Sequence, residues 1–176
     1  MKKKQTGKRI PPKAKGRSAY DEALHFLTPK ARTVREVEDH LDECDHSEME
    51  IFETVERLKN AGLLDDAKYA ADFIESRLNT KPVSRMKLRE QLAAHFIDQA
   101  IIDSALECVS DEGERENARA VAEKYYRQFE GLEPAERLRR VGLRLASRGY
   151  GYDDIKRVLS ELSELSELPT LSEDME

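Results

Sequence analysis

The sequence predicts an all-α fold made of three tandem three-helix repeats stacked into an elongated curved array. Three observations predict it. Val37, Leu41, Ile51 and Val55 recur as Leu88, Leu92, Ile102 and Leu106, and again as Val141, Leu145, Ile155 and Leu159, at offsets of 51 and then 53 residues. A period of that length exceeds the roughly 33–34 residues of common helical hairpin repeats and leaves room for three short helices per unit. Helix-start signals precede the apolar stretches, and no alternating apolar and polar run is long enough to compete as a strand.

In the first repeat, residues 18–64, Ser18 is the expected N-cap of a helix bearing Tyr20, Ala23, Leu24 and Leu27, which Thr28-Pro29 ends. Thr33 with Glu36, and Ser47 with Glu50, have the spacing of capping boxes. They open a second helix with Val34, Val37 and Leu41 on one face and a third with Ile51, Phe52, Val55 and Leu58. Gly62 supplies the left-handed stop.

In the second repeat, residues 65–110, Leu63-Leu64 reads as a buried pair leading into Asp65 and Asp66, one of which caps a helix carrying Tyr69, Ala70, Phe73 and Ile74. A fifth helix begins near Ser84 with Leu88 and Leu92, and Asp98 caps a sixth with Ile101, Ile102, Ala105 and Leu106. In the third repeat, residues 111–162, a seventh helix holds Ala118, Val121, Ala122 and Tyr125. Pro134 fits the first turn of an eighth with Leu138, Val141 and Leu145. Gly149 stops it, and Asp153-Asp154 begins a ninth with Ile155, Val158, Leu159 and Leu162. Tyr69, Phe73, Tyr125, Tyr126 and Phe129 are spaced like packing residues, and one ring of Tyr150 and Tyr152 is expected to be exposed.

The 176 residues can bury a core without disulfides, and Cys44 and Cys108 are expected to remain thiols. No apolar run is long enough for a membrane span, and the Lys-rich start lacks the apolar stretch of a secretory signal, so a cytoplasmic protein with no membrane contact is expected. The net charge of −6 hides a partition. Residues 1–17 carry eight basic side chains and no acid, and with their prolines and glycines they read as a disordered basic tail. The remaining 159 residues hold 22 basic and 36 acidic side chains, a balance of −14. A body that acidic repels a polyanion as a whole, so any DNA contact has to come from local basic helices or the tail. Residues 163–176, acidic and without a base, read as a frayed tail.

The three degenerate units, the junction Gly62-Leu63-Leu64-Asp65-Asp66 leading to Tyr69-Ala70, and Arg148-Gly149-Tyr150 at the end of a middle helix resemble the RecX family of regulatory proteins over residues 19–162. The resemblance implies a non-enzymatic modulator of the RecA recombinase. Such a protein binds along the RecA filament on DNA and inhibits strand exchange, ATP hydrolysis and co-protease activity, in DNA repair and the SOS response. Phe96 departs from the pattern, standing where the family has a glycine, and would pay a steric cost in a left-handed turn.

Two stretches of the acidic body contain bases and no acid: Arg77, Lys81, Arg85, Lys87 and Arg89 in the second repeat, and Arg137, Arg139, Arg140, Arg144 and Arg148 in the third. At about 100° per residue, Arg137, Arg140, Arg144 and Arg148 share about 80° of arc beside the Leu138, Val141 and Leu145 stripe. The middle helix of the first repeat is instead acidic around Arg35. The residues expected to contact a RecA–DNA filament are therefore Arg77, Arg85, Lys87, Arg89, Arg137, Arg140, Arg144 and Arg148. The competing expectation is a set of solvated faces paired with the chain's own acids, each exposed pair worth about 0–1 kcal/mol.

His40 and Cys44 stand four apart on a helix with His46 just beyond, a partial zinc set, but no fourth Cys or His is near in sequence and no metal is expected. The Asp pairs 65-66 and 153-154 stand where helices begin, which explains them without catalysis, and no Walker-type phosphate loop is present. The sequence thus points to a monomeric, cofactor-free regulator rather than an enzyme, the alternative being a stand-alone helical nucleic-acid-binding protein.

Overall fold

The computed structural model describes residues 16–167, and side chains through residue 164. The basic stretch 1–15 and the acidic stretch 168–176 lie outside the described residues, and with them most of the two expected tails. Among the described residues there are nine α-helices and no strand: α1 Ala19–Leu27, α2 Val34–Glu43, α3 Glu48–Asn60, α4 Asp66–Thr80, α5 Arg85–Ala93, α6 Gln99–Leu106, α7 Asp111–Gln128, α8 Pro134–Ser147 and α9 Tyr152–Glu167. The last helix continues past residue 162, where the third repeat was expected to end.

The chain forms two compact units, one comprising the residues up to Tyr69 together with His95–Ile97, the other Ala70–Ala94 and the chain from Asp98 onward. In the first unit, Ala23, Val37, Leu41, Val55, Leu58 and Leu64 make a closed core, with Leu24, Leu27, Val34 and Ile51 packed around it. Two expectations about this unit are corrected. Leu63 is half exposed while Leu64 is buried, because Leu63 follows the left-handed Gly62 and turns away from the core. Phe52 also faces solvent, since Val55 and Leu58 already fill the inward side of α3.

The second unit buries Ala70, Ile74, Leu88, Leu92, Ile102 and Leu106 from α4, α5 and α6. It also contains a core of Ala118, Val121, Ala122, Val141, Leu145, Tyr150, Val158 and Leu162, against which Tyr125, Tyr126 and Phe129 pack. Tyr150 is buried, which pushes its hydroxyl up to about 12, while Tyr152 is exposed.

Local chemistry fixes the helix ends. Both capping boxes form: Thr33 and Ser47 accept the amides of Glu36 and Glu50, and each glutamate carboxylate accepts the amide of its cap in return. Asp65 caps α4 by accepting the Lys68 amide, and Asp98 caps α6 through the Ala100 amide. The middle helices α2, α5 and α8 each end on a left-handed residue: Asp45 at φ 61°, Phe96 at 60° and Gly149 at 84°. After α3 and α8 the backbone closes in the Schellman manner, Leu63 donating to Leu58 and Gly62 to Lys59, Tyr150 to Leu145 and Gly149 to Ala146. The sharp turn that Phe96 put in question is therefore kept, with the Phe96 ring out in solvent.

The start of each of the first two middle helices is sealed by later parts of the chain. In the first unit the Thr33 hydroxyl donates to the His95 carbonyl at 2.9 Å, the Val34 amide donates to Asp66 at 2.9 Å, and the His95 ring sits 3.0 Å from the Glu36 carboxylate. In the second unit the Ser84 amide donates to the Arg148 carbonyl at 3.0 Å and the Arg85 amide to Glu114 at 2.9 Å. Thr33 and Ser84 are repeat equivalents, and both are fully buried polar residues with these partners.

Candidate partner-binding surface

The basic side chains of the second unit divide into two kinds. Arg85 opens α5, and its guanidinium spans Glu114 at 2.6 Å, the Val109 carbonyl at 3.3 Å, and Asp111. Its hydrogen bond to Glu114 comes first among the contacts that raise its already high pKa. Arg148, at the C-cap of α8, donates to the Pro82 carbonyl at 2.7 Å and to the Tyr125 hydroxyl at 3.0 Å, which lowers the Tyr125 pKa. Arg137 donates to the Tyr126 carbonyl at 2.6 Å and lies 3.5 Å over the Tyr126 ring. Arg77 donates to Gln91 at 2.8 Å beside Phe73. Arg85 and Arg148 thus tie the second repeat to the third, while Arg77 and Arg137 tie neighbouring helices within one repeat.

The others look outward. Lys87 pairs with Glu90 at 2.6 Å and Arg89 with Asp103, whose carboxyl is lowered first by Arg89 and then by Gln99. On α8, Arg139 and Arg140 share the single carboxylate of Glu136, at 2.7 and 2.8 Å, and together hold it down to about 2. Arg144 is exposed one turn further on, and among the described residues it makes no ion pair; its guanidinium lies 5.4 Å over the Tyr125 ring. Within the expected row of four, Arg137 and Arg148 at the two ends are engaged by Tyr126, Pro82 and Tyr125, and Arg140 and Arg144 between them are exposed. Helical angle alone could not show this, because Tyr125, Tyr126 and Pro82 reach α8 from other elements.

Sequence reasoning names Arg139 in the basic stretch but leaves it out of the expected contacts, and it gives Tyr125 and Tyr126 packing roles alone. Their signal was the Tyr-Tyr pair at the end of α7, within the same repeat as the arginine stripe. In the first unit α2 is indeed acidic on its outer side, with Arg35 drawn to Glu38 at 3.7 Å and Asp39 at 2.9 Å. With two guanidinium groups on one acid and a third over an aromatic ring, the exposed stretch 139–144 keeps an excess of positive charge able to grip carboxylate or phosphate oxygens bidentately.

Three family models match in order, each for one part of the same family: RecX, first three-helix domain, over residues 19–58; second three-helix domain, over 65–106; and third three-helix domain, over 112–159. The chain belongs to the RecX family. Among curated relatives it is 30% identical over 154 residues to a regulatory protein RecX from Streptomyces lividans, covering 88% of this chain and 82% of that one. It is 29% identical to the longer regulatory protein RecX of Bacillus subtilis, covering 83% of this chain and 55% of that one. The crystal structure of RecX from Lactobacillus salivarius superposes with a TM-score of 0.71 at 27% identity, covering 83% of this chain and 95% of that one. No helix among the described residues is long and apolar enough to cross a membrane.

Proposed function

We propose that this RecX-family chain is a non-catalytic regulator that binds the RecA filament on DNA as a cytoplasmic monomer and inhibits it. In this reading it slows strand exchange, ATP hydrolysis and co-protease activity during DNA repair and the SOS response. Family membership across all three repeats supports the partner. The observation that carries the contact surface is the exposed α8 face, where Arg139, Arg140 and Arg144 outnumber the one carboxylate they meet. Lys87 and Arg89 on α5 add two further bases to that surface, each in an exposed pairing with a carboxylate of its own unit. Arg77, Arg85, Arg137 and Arg148 tie together the helices that carry that surface, and the basic residues 1–17 add a salt-sensitive DNA contact.

The test is binding of labelled chain to RecA assembled on single-stranded DNA, compared with duplex DNA lacking RecA. Strong binding to the filament and weak binding to bare duplex is expected. Equal affinity for bare duplex would instead mark a stand-alone nucleic-acid-binding protein.

A further inference from the structure

The first unit brings together three metal-ligating side chains that are scattered in sequence: Glu22 from α1, His40 from the last turn of α2, and Cys44 at its C-cap. His40 Nε2 lies 3.6 Å from Glu22 Oε1 and 3.9 Å from Cys44 Sγ, and all three donor atoms fall within 4.8 Å of one another. Donors around a tetrahedral zinc, with bonds of about 2.0–2.3 Å, stand roughly 3.3–3.6 Å apart. A few tenths of an ångström of closure at His40, and a swing of the flexible Glu22 side chain, bring the set to that geometry.

We propose that Glu22, His40 and Cys44 form a binding site for one zinc-type divalent cation that ties α1 to the end of α2. The third donor is Glu22 rather than the His46 that sequence spacing brings forward. Thiolate, imidazole and carboxylate are the donor classes that borderline-soft Zn²⁺ takes, whereas Mg²⁺ and Ca²⁺ call for oxygen alone. Binding displaces the Cys44 thiol proton, and the thiolate and carboxylate together neutralise the dication.

The surroundings orient the donors. Phe26 stacks on the His40 ring with centroids 3.9 Å apart and planes 12° from parallel, fixing the ring so that Nε2 faces Glu22 and Cys44. Arg32 covers Phe26 at 4.1 Å. Arg17 approaches the other carboxylate oxygen of Glu22 at 3.7 Å, leaving Oε1 toward His40. The His40 and Glu22 side chains keep 15% and 16% exposure, which gives the ion a way in and a water the fourth position.

The test uses the reduced full-length chain titrated with Co²⁺ and then Zn²⁺, with no RecA or DNA present. One equivalent of Co²⁺ is expected to give a thiolate-to-cobalt charge-transfer band with strong tetrahedral visible absorption, which Zn²⁺ then bleaches. Cys108→Ser should keep the band, Cys44→Ser should abolish it, and Glu22→Gln or His40→Gln should weaken Co²⁺ binding by at least about tenfold. Circular dichroism reports whether each variant is folded, and the Cys108→Ser result locates the thiol even without the Cys44 variant. Absence of the band in the wild-type chain, its survival in folded Cys44→Ser, or its loss in Cys108→Ser would each overturn the site and leave an ordinary Glu22–His40 contact.

Discussion

Gly149 lies against Ser84 so closely that a β-carbon on it would stand 2.6 Å from the Ser84 hydroxyl oxygen and 2.9 Å from the Lys87 β-carbon. The same glycine holds φ at 84°, so it meets two requirements that no other residue meets together. Gly149→Ala is expected to lose about 2–4 kcal/mol of stability, combining left-handed strain with overpacking. Phe96 occupies the equivalent turn at φ 60° with its ring in solvent, and Phe96→Gly should hold or raise stability by up to about 1 kcal/mol. Urea unfolding of both variants checks the pair; a harmless Gly149→Ala would contradict the packing described here.

Asp66 accepts the amide of Val34 at the start of α2, and burial, its largest influence, raises its pKa above the ordinary aspartate value. The folded carboxyl therefore holds its proton more tightly than the unfolded one, so stability declines as pH rises from the ordinary value through the raised one. Asp66→Asn keeps the acceptor without the charge and should remove that slope with no loss at neutral pH. Asp66→Ala strands the Val34 amide and should cost about 0.5–2 kcal/mol. Thermal unfolding at several pH values from mildly acidic to neutral separates the two.

Much of the fold was legible in the sequence because its signals are local. The two capping boxes, the Asp98 cap and the Gly62 stop each act within a few residues, and the 51- and 53-residue offsets fix which apolar side chains face inward. What seals the repeats was not legible, because Thr33 meets His95 and Ser84 meets Arg148 across more than sixty positions. The candidate surface suffered in the same way. A helical wheel places Arg137, Arg140, Arg144 and Arg148 on one arc, but only the fold shows that Tyr126 and Pro82 claim the two ends. Glu22 escaped notice as a donor beside His40 because α1 and α2 are separated by a turn.

Arg148 and Arg144 stand one helical turn apart and should behave differently on substitution. Arg148→Ala removes hydrogen bonds to the Pro82 carbonyl and the Tyr125 hydroxyl and is expected to cost about 1.5–3 kcal/mol. Arg144→Ala removes an exposed guanidinium and should stay within about 0.5 kcal/mol of wild type. Chemical denaturation of the two single variants provides the comparison.

Glu136 is held to about 2 by hydrogen bonds from Arg139 and then Arg140, against an ordinary value of 4.5. Because the folded value is depressed, its favourable contribution is complete above the ordinary value and is lost as pH falls from about 4.5 through about 2. Carboxyl-carbon NMR should give a Glu136 midpoint near the lower figure, and replacing both Arg139 and Arg140 by Gln should return it toward 4.5. An unshifted midpoint in the wild-type chain would mean the two arginines are turned away from Glu136 in solution.

Binding of the α8 face to the RecA filament would show in the rate of DNA-stimulated ATP hydrolysis by the cognate RecA, measured with wild-type chain and with a variant carrying Arg139→Glu, Arg140→Glu and Arg144→Glu. The predicted result is a marked slowing by wild type that the folded variant fails to produce. A RecA rate unaffected by wild type, or suppressed equally by the charge-reversed variant, would contradict it.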